Sequence, residues 1–199
     1  MLLAGGAVLA GAWAFPALAA WACPACYGLE RAAPQLWVER AMSTRDRAAL
    51  IDGIEASRAI AAAFLDGYDA DPALLACASE ACDARLGGKG ARATAYTTPL
   101  GTVIRRGPRG LGREIVAHEL IHAEVHARTG AAAQREGRLP AWVDEGFAVI
   151  GAEDARLLPP AIDCDGLPEA TLPASPFEWG PAAGRDPKLY AHAACAVRA

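Results

Sequence analysis

The sequence predicts an α+β fold, and two kinds of segment carry this prediction. Apolar residues recur at helical spacing after Ser43 and again over residues 113–129, whereas β-prone residues occupy 91–98 and 101–106. With 199 residues and 53% hydrophobic content, the chain has enough material for one core and too little for two. We therefore expect one folded domain over residues 28–199.

The first 27 residues contain no charged side chain, and the first charges are Glu30 and Arg31. About 20 apolar residues suffice to cross a bilayer, and small residues around Ala19 suit a signal-peptide cleavage site. We interpret residues 1–27 as a signal peptide or a membrane anchor, with a lipoprotein acylated at Cys23 as a further alternative. Each interpretation predicts an extracytoplasmic protein, either secreted or periplasmic, or membrane-anchored through this segment if it is not cleaved.

The six cysteines, an even number, suit an oxidising compartment. The motif Cys23-Pro-Ala-Cys26 has the spacing of a redox pair, but it follows the hydrophobic segment instead of a strand. We interpret it as a structural disulfide or as two free thiols. The pairing that the spacing favours for the others is Cys77 with Cys82 and Cys164 with Cys195.

The formal net charge of −4 offers no basic surface for a phosphate backbone, so nucleic-acid binding is not expected.

Ser43, with Asp46 three residues later, predicts a capped helix that ends near Gly67. Residues 157–187 are rich in proline and are predicted to be irregular. The remaining predicted elements are strands at 35–38, 73–78, 91–98 and 101–106, a helical turn at 80–86, and helices at 113–129, 140–152 and 188–198.

His118-Glu119-Leu-Ile-His122 lies within the predicted helix at 113–129. Two histidines four residues apart share one face of a helix, so both imidazoles can reach a single metal ion. Nitrogen ligands of this kind suit Zn²⁺, and Glu119 is placed to act as a general base. His126 continues the series, but it lies about 12 Å along the helix axis from His118. We therefore predict that His126 is a surface histidine or an outer neighbour of the ligands.

The third ligand is predicted in Trp142-Val-Asp144-Glu145-Gly-Phe-Ala148. Together with the histidine motif, this segment resembles the gluzincin superfamily of zinc peptidases, in which a second helix carries a Glu ligand in a WxxEGxA context. The resemblance covers residues 117–149. It implies a zincin-like fold, with a small sheet from residues 72–106 packed on the metal helix and Glu145 as the third ligand. Asp144 is the rival carboxylate, which we expect to be a solvated acid near the helix start.

The resemblance also implies that Tyr190, on a later helix, donates a hydrogen bond to the developing oxyanion, with His192 as the alternative donor. Two departures from the family stand out. No segment for recognising a free substrate amine precedes the metal helix, and Val149 replaces an Asp that orients a ligating histidine in thermolysin-like relatives. The orientation of that histidine is therefore left to some other acceptor.

The predicted function is hydrolysis of a peptide or protein substrate by zinc-activated water, with Glu119 as the base and Tyr190 beside the oxyanion. Strand 101–106 is the candidate for pairing with an extended peptide. Two alternatives remain: a non-catalytic zinc-binding module that holds a partner peptide, and an extracytoplasmic thiol protein working through Cys23 and Cys26. Retention of Glu119 favours the enzyme, because a structural zinc needs no general base.

Overall fold

The computed structural model describes residues 15–133, 135–168 and 170–199, and these ranges form a mixed α and β fold, as predicted. The first 14 residues of the predicted leader lie outside the described residues. The described part of the chain contains no helix that is both long enough and apolar enough to cross a bilayer.

The elements lie close to their predicted positions, with exceptions taken up below. The strands are β1 (Leu29–Ala33), β2 (Leu36–Glu39), β3 (Ala73–Ala76), β4 (Ala93–Thr98) and β5 (Gly101–Arg106). The helices are α1 (Pro16–Ala22), α2 (Thr44–Leu65), α3 (Glu80–Arg85), α4 (Arg113–Thr129), α5 (Ala141–Gly151), α6 (Pro176–Arg185) and α7 (Leu189–Arg198).

The chain divides into two compact units, each built from two segments. The first unit comprises Met1–Glu55 and Asp71–Val116, and the second comprises Ala56–Ala70 and Ala117–Ala199. Two of the three borders fall inside continuous helices, within α2 and within α4, and the third lies between Ala70 and Asp71. The single domain expected over residues 28–199 stays a prediction.

The first unit contains a five-stranded sheet in the order β1-β2-β3-β5-β4. Strand β3 runs parallel to β2 and to β5, whereas the two outer pairs are antiparallel. The prediction that residues 101–106 pair with a peptide is wrong, because β5 already pairs with β3 on one side and with β4 on the other.

Strand β1 was missed because Leu-Glu-Arg-Ala-Ala has weak β propensity, and pairing with β2 overrides that preference.

The core of the first unit collects buried side chains from the sheet and from α1. Ala17 and Ala20 of α1 pack in the same cluster as Leu29, Leu75 and Val103. Residues 16–22 thus belong to a packed core in the structure, although the sequence groups them with the leader. The buried Arg105 side chain is neutralised by Asp83, as an ion removed from water requires.

Both predicted cysteine pairs are disulfides in the structure, and of the two alternatives for Cys23 and Cys26 the structure has the disulfide. Cys77 bonds Cys82, Cys164 bonds Cys195, and the Cys23-Pro-Ala-Cys26 motif is closed as a disulfide as well. Three disulfides fit an oxidising, extracytoplasmic compartment.

Helix α6 in the second unit was not predicted, because residues 157–187 seemed too rich in proline. Its start nevertheless carries two ordinary signals: the Ser175 hydroxyl accepts from the Phe177 N–H at 3.2 Å, and Pro176 occupies the first turn. Trp179 and Ala183 then bury one face of the helix against α5 and α7. A proline in the first turn is therefore compatible with a helix, so a segment rich in proline is not necessarily irregular.

Candidate metal centre

Helix α4 supplies the histidine pair of the site. Its C-terminal end follows the sequence prediction, since Gly130 has a φ of +90° and its N–H bonds the His126 carbonyl at 2.9 Å. His118 and His122 lie one turn apart on the same face, and both are buried. Their Nε2 atoms are 3.1 Å apart, so both nitrogens face the same point.

Helix α5 supplies the carboxylate. It begins after Pro140, and Glu145 lies in its second turn. Glu145 Oε2 lies 3.3 Å from His118 Nε2 and 3.5 Å from His122 Nε2. The three atoms predicted to be ligands therefore form a nearly equilateral triangle, and these residues can hold a metal ion.

The distances in this triangle can be compared with those expected for a bound ion and with those expected for hydrogen bonds. Charge-assisted hydrogen bonds between an imidazole and a carboxylate measure about 2.7 to 2.9 Å. Around a tetrahedral ion with bonds of about 2.0 to 2.2 Å, neighbouring ligand atoms lie about 3.3 to 3.6 Å apart. The two separations that involve Glu145, 3.3 and 3.5 Å, match the second case, and the 3.1 Å between the two histidine nitrogens lies slightly below it.

Asp144 differs from the sequence prediction. It is 2% exposed, so it is not a solvated acid at the helix start. Its Oδ2 lies 3.0 Å from His122 Nδ1 and 2.8 Å from His126 Nε2. These three residues form a second group of possible metal ligands, but its contacts have hydrogen-bond lengths.

His126 also lies in a more enclosed position than a surface histidine, with an 11% exposed side chain. Of the two interpretations given above, the outer neighbour of the ligands agrees with its contact to Asp144. The sequence contained the hint, because His126 follows His122 by four residues and therefore shares its helix face. Asp144, which directly precedes Glu145, also lies 3.0 Å from the other nitrogen of the His122 ring, Nδ1.

The electrostatics of the group favour a cation. Burial lowers the pKa of His122, but the carboxylates of Asp144 and Glu145 outweigh this and hold the pKa well above 6.5. Burial raises the pKa of Glu145, yet the charged His122 and the His118 ring bring it well below its usual range. The two carboxylates thus favour a positive charge at this point, and because a ligating histidine must be neutral, metal affinity is expected to fall as pH falls.

Two further predicted residues lie close to this group. Glu119 is buried beside the histidine pair on α4. The Tyr190 ring from α7 packs edge-on to the His118 ring, with centroids 6.3 Å apart. Burial, together with the charges of Glu145 and Glu119, raises the pKa of Tyr190, so its hydroxyl keeps its proton and can act as a hydrogen-bond donor.

The structure thus brings His118, His122 and Glu145 together and places Tyr190 against the first of them. It adds Asp144 and His126 on the far side of the His122 ring. Comparison of the chain with protein-family models, with curated proteins and with solved structures finds no match.

Proposed function

We propose that this protein is a zinc-dependent peptidase of the gluzincin type, with His118, His122 and Glu145 as the metal ligands. The observation that supports this most strongly is the triangle of ligand atoms, whose edges of 3.1 to 3.5 Å suit a tetrahedral ion. Two imidazoles and one carboxylate are the ligand set of several catalytic zinc sites, which leave a further position for water or substrate.

A zinc ion held by these residues would lower the pKa of a water molecule and polarise a substrate carbonyl. The Glu119 carboxylate, next to the first histidine, takes the proton from the attacking water and passes it to the leaving amine. The Tyr190 hydroxyl donates a hydrogen bond to the carbonyl oxygen as its negative charge develops. The new C–O bond forms before the peptide C–N bond breaks, and the leaving amine takes the proton that Glu119 carries, so no oxidant or reductant is needed.

Metal content tests the ligand assignment. We expect the full-length protein to bind one zinc per chain and Glu145→Ala to lose most of it, because two histidines alone hold the ion weakly. Glu114→Ala is the matched control, since Glu114 lies on α4 with a 41% exposed side chain. Equal zinc content in Glu145→Ala and in the parent would reject Glu145 as a ligand.

Hydrolysis tests the enzyme against the non-catalytic zinc module. We expect digestion of a peptide library by the zinc-loaded protein and its loss in Glu119→Gln, with zinc content unchanged. The expected fall in rate is at least about 10² to 10⁴-fold, the usual contribution of general acid–base catalysis. Zinc binding without cleavage in the parent would favour the binding module, and full turnover in Glu119→Gln would exclude Glu119 as the base.

A further inference from the structure

The His122 ring has a carboxylate at each of its two nitrogens. Its Nε2 faces Glu145 Oε2 at 3.5 Å, within the triangle that suits an ion. Its Nδ1 faces Asp144 Oδ2 at 3.0 Å, on the opposite edge of the ring. The two edges of the imidazole therefore have different partners at different distances.

Both histidine contacts of Asp144 are short, but only the contact to His126 has the geometry of a hydrogen bond. Its Oδ2 lies 3.0 Å from one histidine and 2.8 Å from the other, shorter than the 3.3 and 3.5 Å contacts of Glu145. If His122 binds a metal through Nε2, its ring proton must lie on Nδ1, and Asp144 Oδ2, 3.0 Å away, is the carboxylate oxygen that faces it. The same carboxylate oxygen accepts from His126 Nε2, and the Asp144 side chain is only 3% exposed.

We propose that Asp144 and His126 form a positioning pair that fixes the orientation of His122 for metal binding. The proposal rests on the zinc site proposed above and assigns to it two residues that bind no metal themselves. Asp144 orients the His122 ring and selects the form whose Nε2 is free to coordinate. His126 holds the Asp144 carboxylate in place from the other side, one helical turn beyond His122.

Asp144 and His126 are expected to act together because their contact joins two helices. Asp144 belongs to α5 and the two histidines belong to α4, so the carboxylate connects the helices at the level of the ligand. Without His126, the carboxylate loses a hydrogen bond that restricts its rotamer. Removing the acceptor for a ligating histidine typically weakens metal binding by about 10 to 100-fold.

Zinc affinity of the full-length protein, measured by competition with a chromophoric chelator, tests the proposal without any assay of activity. We expect Asp144→Asn to weaken zinc binding by about 10 to 100-fold. His126→Leu removes the second donor and should weaken binding by about 10-fold, whereas His126→Gln keeps an N–H near the Nε2 position and should restore most of the loss. The double variant Asp144→Asn with His126→Leu should be no weaker than Asp144→Asn alone, because His126 acts through Asp144.

Asp154→Asn is the matched control, since Asp154 is also a buried aspartate of this unit but pairs with Arg156. The visible spectrum of the Co²⁺-substituted protein gives a second readout, because a reoriented His122 changes the ligand field whereas a general loss of stability does not. We expect an altered spectrum for Asp144→Asn and His126→Leu and the parent spectrum for Asp154→Asn.

The outcomes separate this inference from the zinc site itself. If the parent binds no zinc, the proposed function fails, and the positioning pair fails with it. If the parent binds zinc and the folded Asp144→Asn and His126→Leu proteins bind it equally well, only the positioning pair is excluded. Should Asp144→Asn fail to fold, the contrast between His126→Leu and His126→Gln decides alone, and equal affinities for these two would overturn the proposal.

Discussion

Adjacent carboxylates on α5 reach opposite edges of one imidazole. Glu145 lies toward Nε2 of His122 and Asp144 toward Nδ1, since successive residues of a helix are turned by about 100°. The His122 ring lies between these two directions. The same functional group, a carboxylate, can thus serve two tasks, and the nitrogen that it faces sets the difference.

The hydroxyl of Tyr190 is predicted to matter in the transition state more than in substrate binding. If it donates to the developing oxyanion, Tyr190→Phe should lower kcat by about 10² to 10³-fold with little change in KM. Steady-state kinetics on a zinc-loaded, folded variant measures this. Phe keeps the ring that packs on His118, so normal kinetics would show that Tyr190 contributes packing alone and that the donor lies elsewhere.

Glu124 is a buried carboxylate of α4 with a structural task. It accepts from the N–H groups of Asp69 and Ala70 at 2.8 and 2.7 Å and pairs with Arg128 at 2.7 Å. Burial raises the pKa of Glu124, but the Ala70 N–H, Arg128 and the Asp69 N–H together lower it below its ordinary value of 4.5. The carboxylate therefore anchors the segment after α2 in its charged form.

This pKa shift predicts a contribution to stability that depends on pH. Because the folded pKa is lowered, the contribution is complete above about pH 5 and is lost as pH falls through the folded pKa. Glu124→Gln should lower the free energy of unfolding at pH 7 and lessen its decrease on acidification. Urea titrations of parent and variant between pH 7 and 3 measure the difference, and parallel pH profiles would contradict the prediction.

Helices α5 and α7 approach each other closely at Gly146, the residue after Glu145. A Cβ at this position would come within 2.6 Å of the Ala193 carbonyl oxygen and 2.8 Å of a Val197 methyl. The absence of a side chain therefore permits the close packing of the helices that carry Glu145 and Tyr190. The glycine of the Glu-Gly-Phe-Ala motif has a packing role that the motif alone does not reveal.

Gly146→Ala should destabilise the protein although alanine is the better helix former. Forcing a methyl group into this packing is expected to lower the free energy of unfolding by about 1 to 3 kcal/mol. Gly180→Ala in α6 is the matched control, because a Cβ there meets no atom within 4 Å and the substitution should stabilise by about 0.4 to 1 kcal/mol. Urea unfolding measures both, and two changes of the same sign would refute the packing argument.

At the scale of the whole molecule, the three disulfides close loops of very different size. Cys164 and Cys195 are 31 residues apart, and their loop contains α6 and the start of α7, including Tyr190. Cys23 and Cys26 are only 3 apart. Because a cross-link restricts the unfolded chain more when its loop is longer, the first bond should stabilise the protein more.

Replacing Cys164 and Cys195 together with alanine should lower the free energy of unfolding by about 2 to 4 kcal/mol, the usual range for a native disulfide. The double replacement of Cys23 and Cys26 serves as the control and should cost less, about 2 kcal/mol at most. Urea unfolding under oxidising conditions compares the two variants with the parent. An equal loss in both would show that loop length does not govern these contributions.

The sequence alone determined those features that depend on local spacing. Histidines four residues apart indicated a shared helix face, apolar periodicity indicated most of the helices, and the spacing of the cysteines indicated their pairing. The sequence did not reveal α6, because proline content says little about where a helix starts unless its N-cap is recognised. For the helices and the histidine pair, the information lies within a few turns of the chain.

Only the tertiary structure showed which residues pack against each helix face and which strands pair with each other. It turned the expected solvated Asp144 into a buried carboxylate that bonds His126 and lies 3.0 Å from His122, and it placed β5 inside the sheet, where its backbone is already paired. It also brought Tyr190 against His118, which the sequence separates by 72 residues and the structure by 6.3 Å between ring centroids. A helix or strand period fixes the direction of a side chain on its own element, but burial and partners depend on elements distant in the chain.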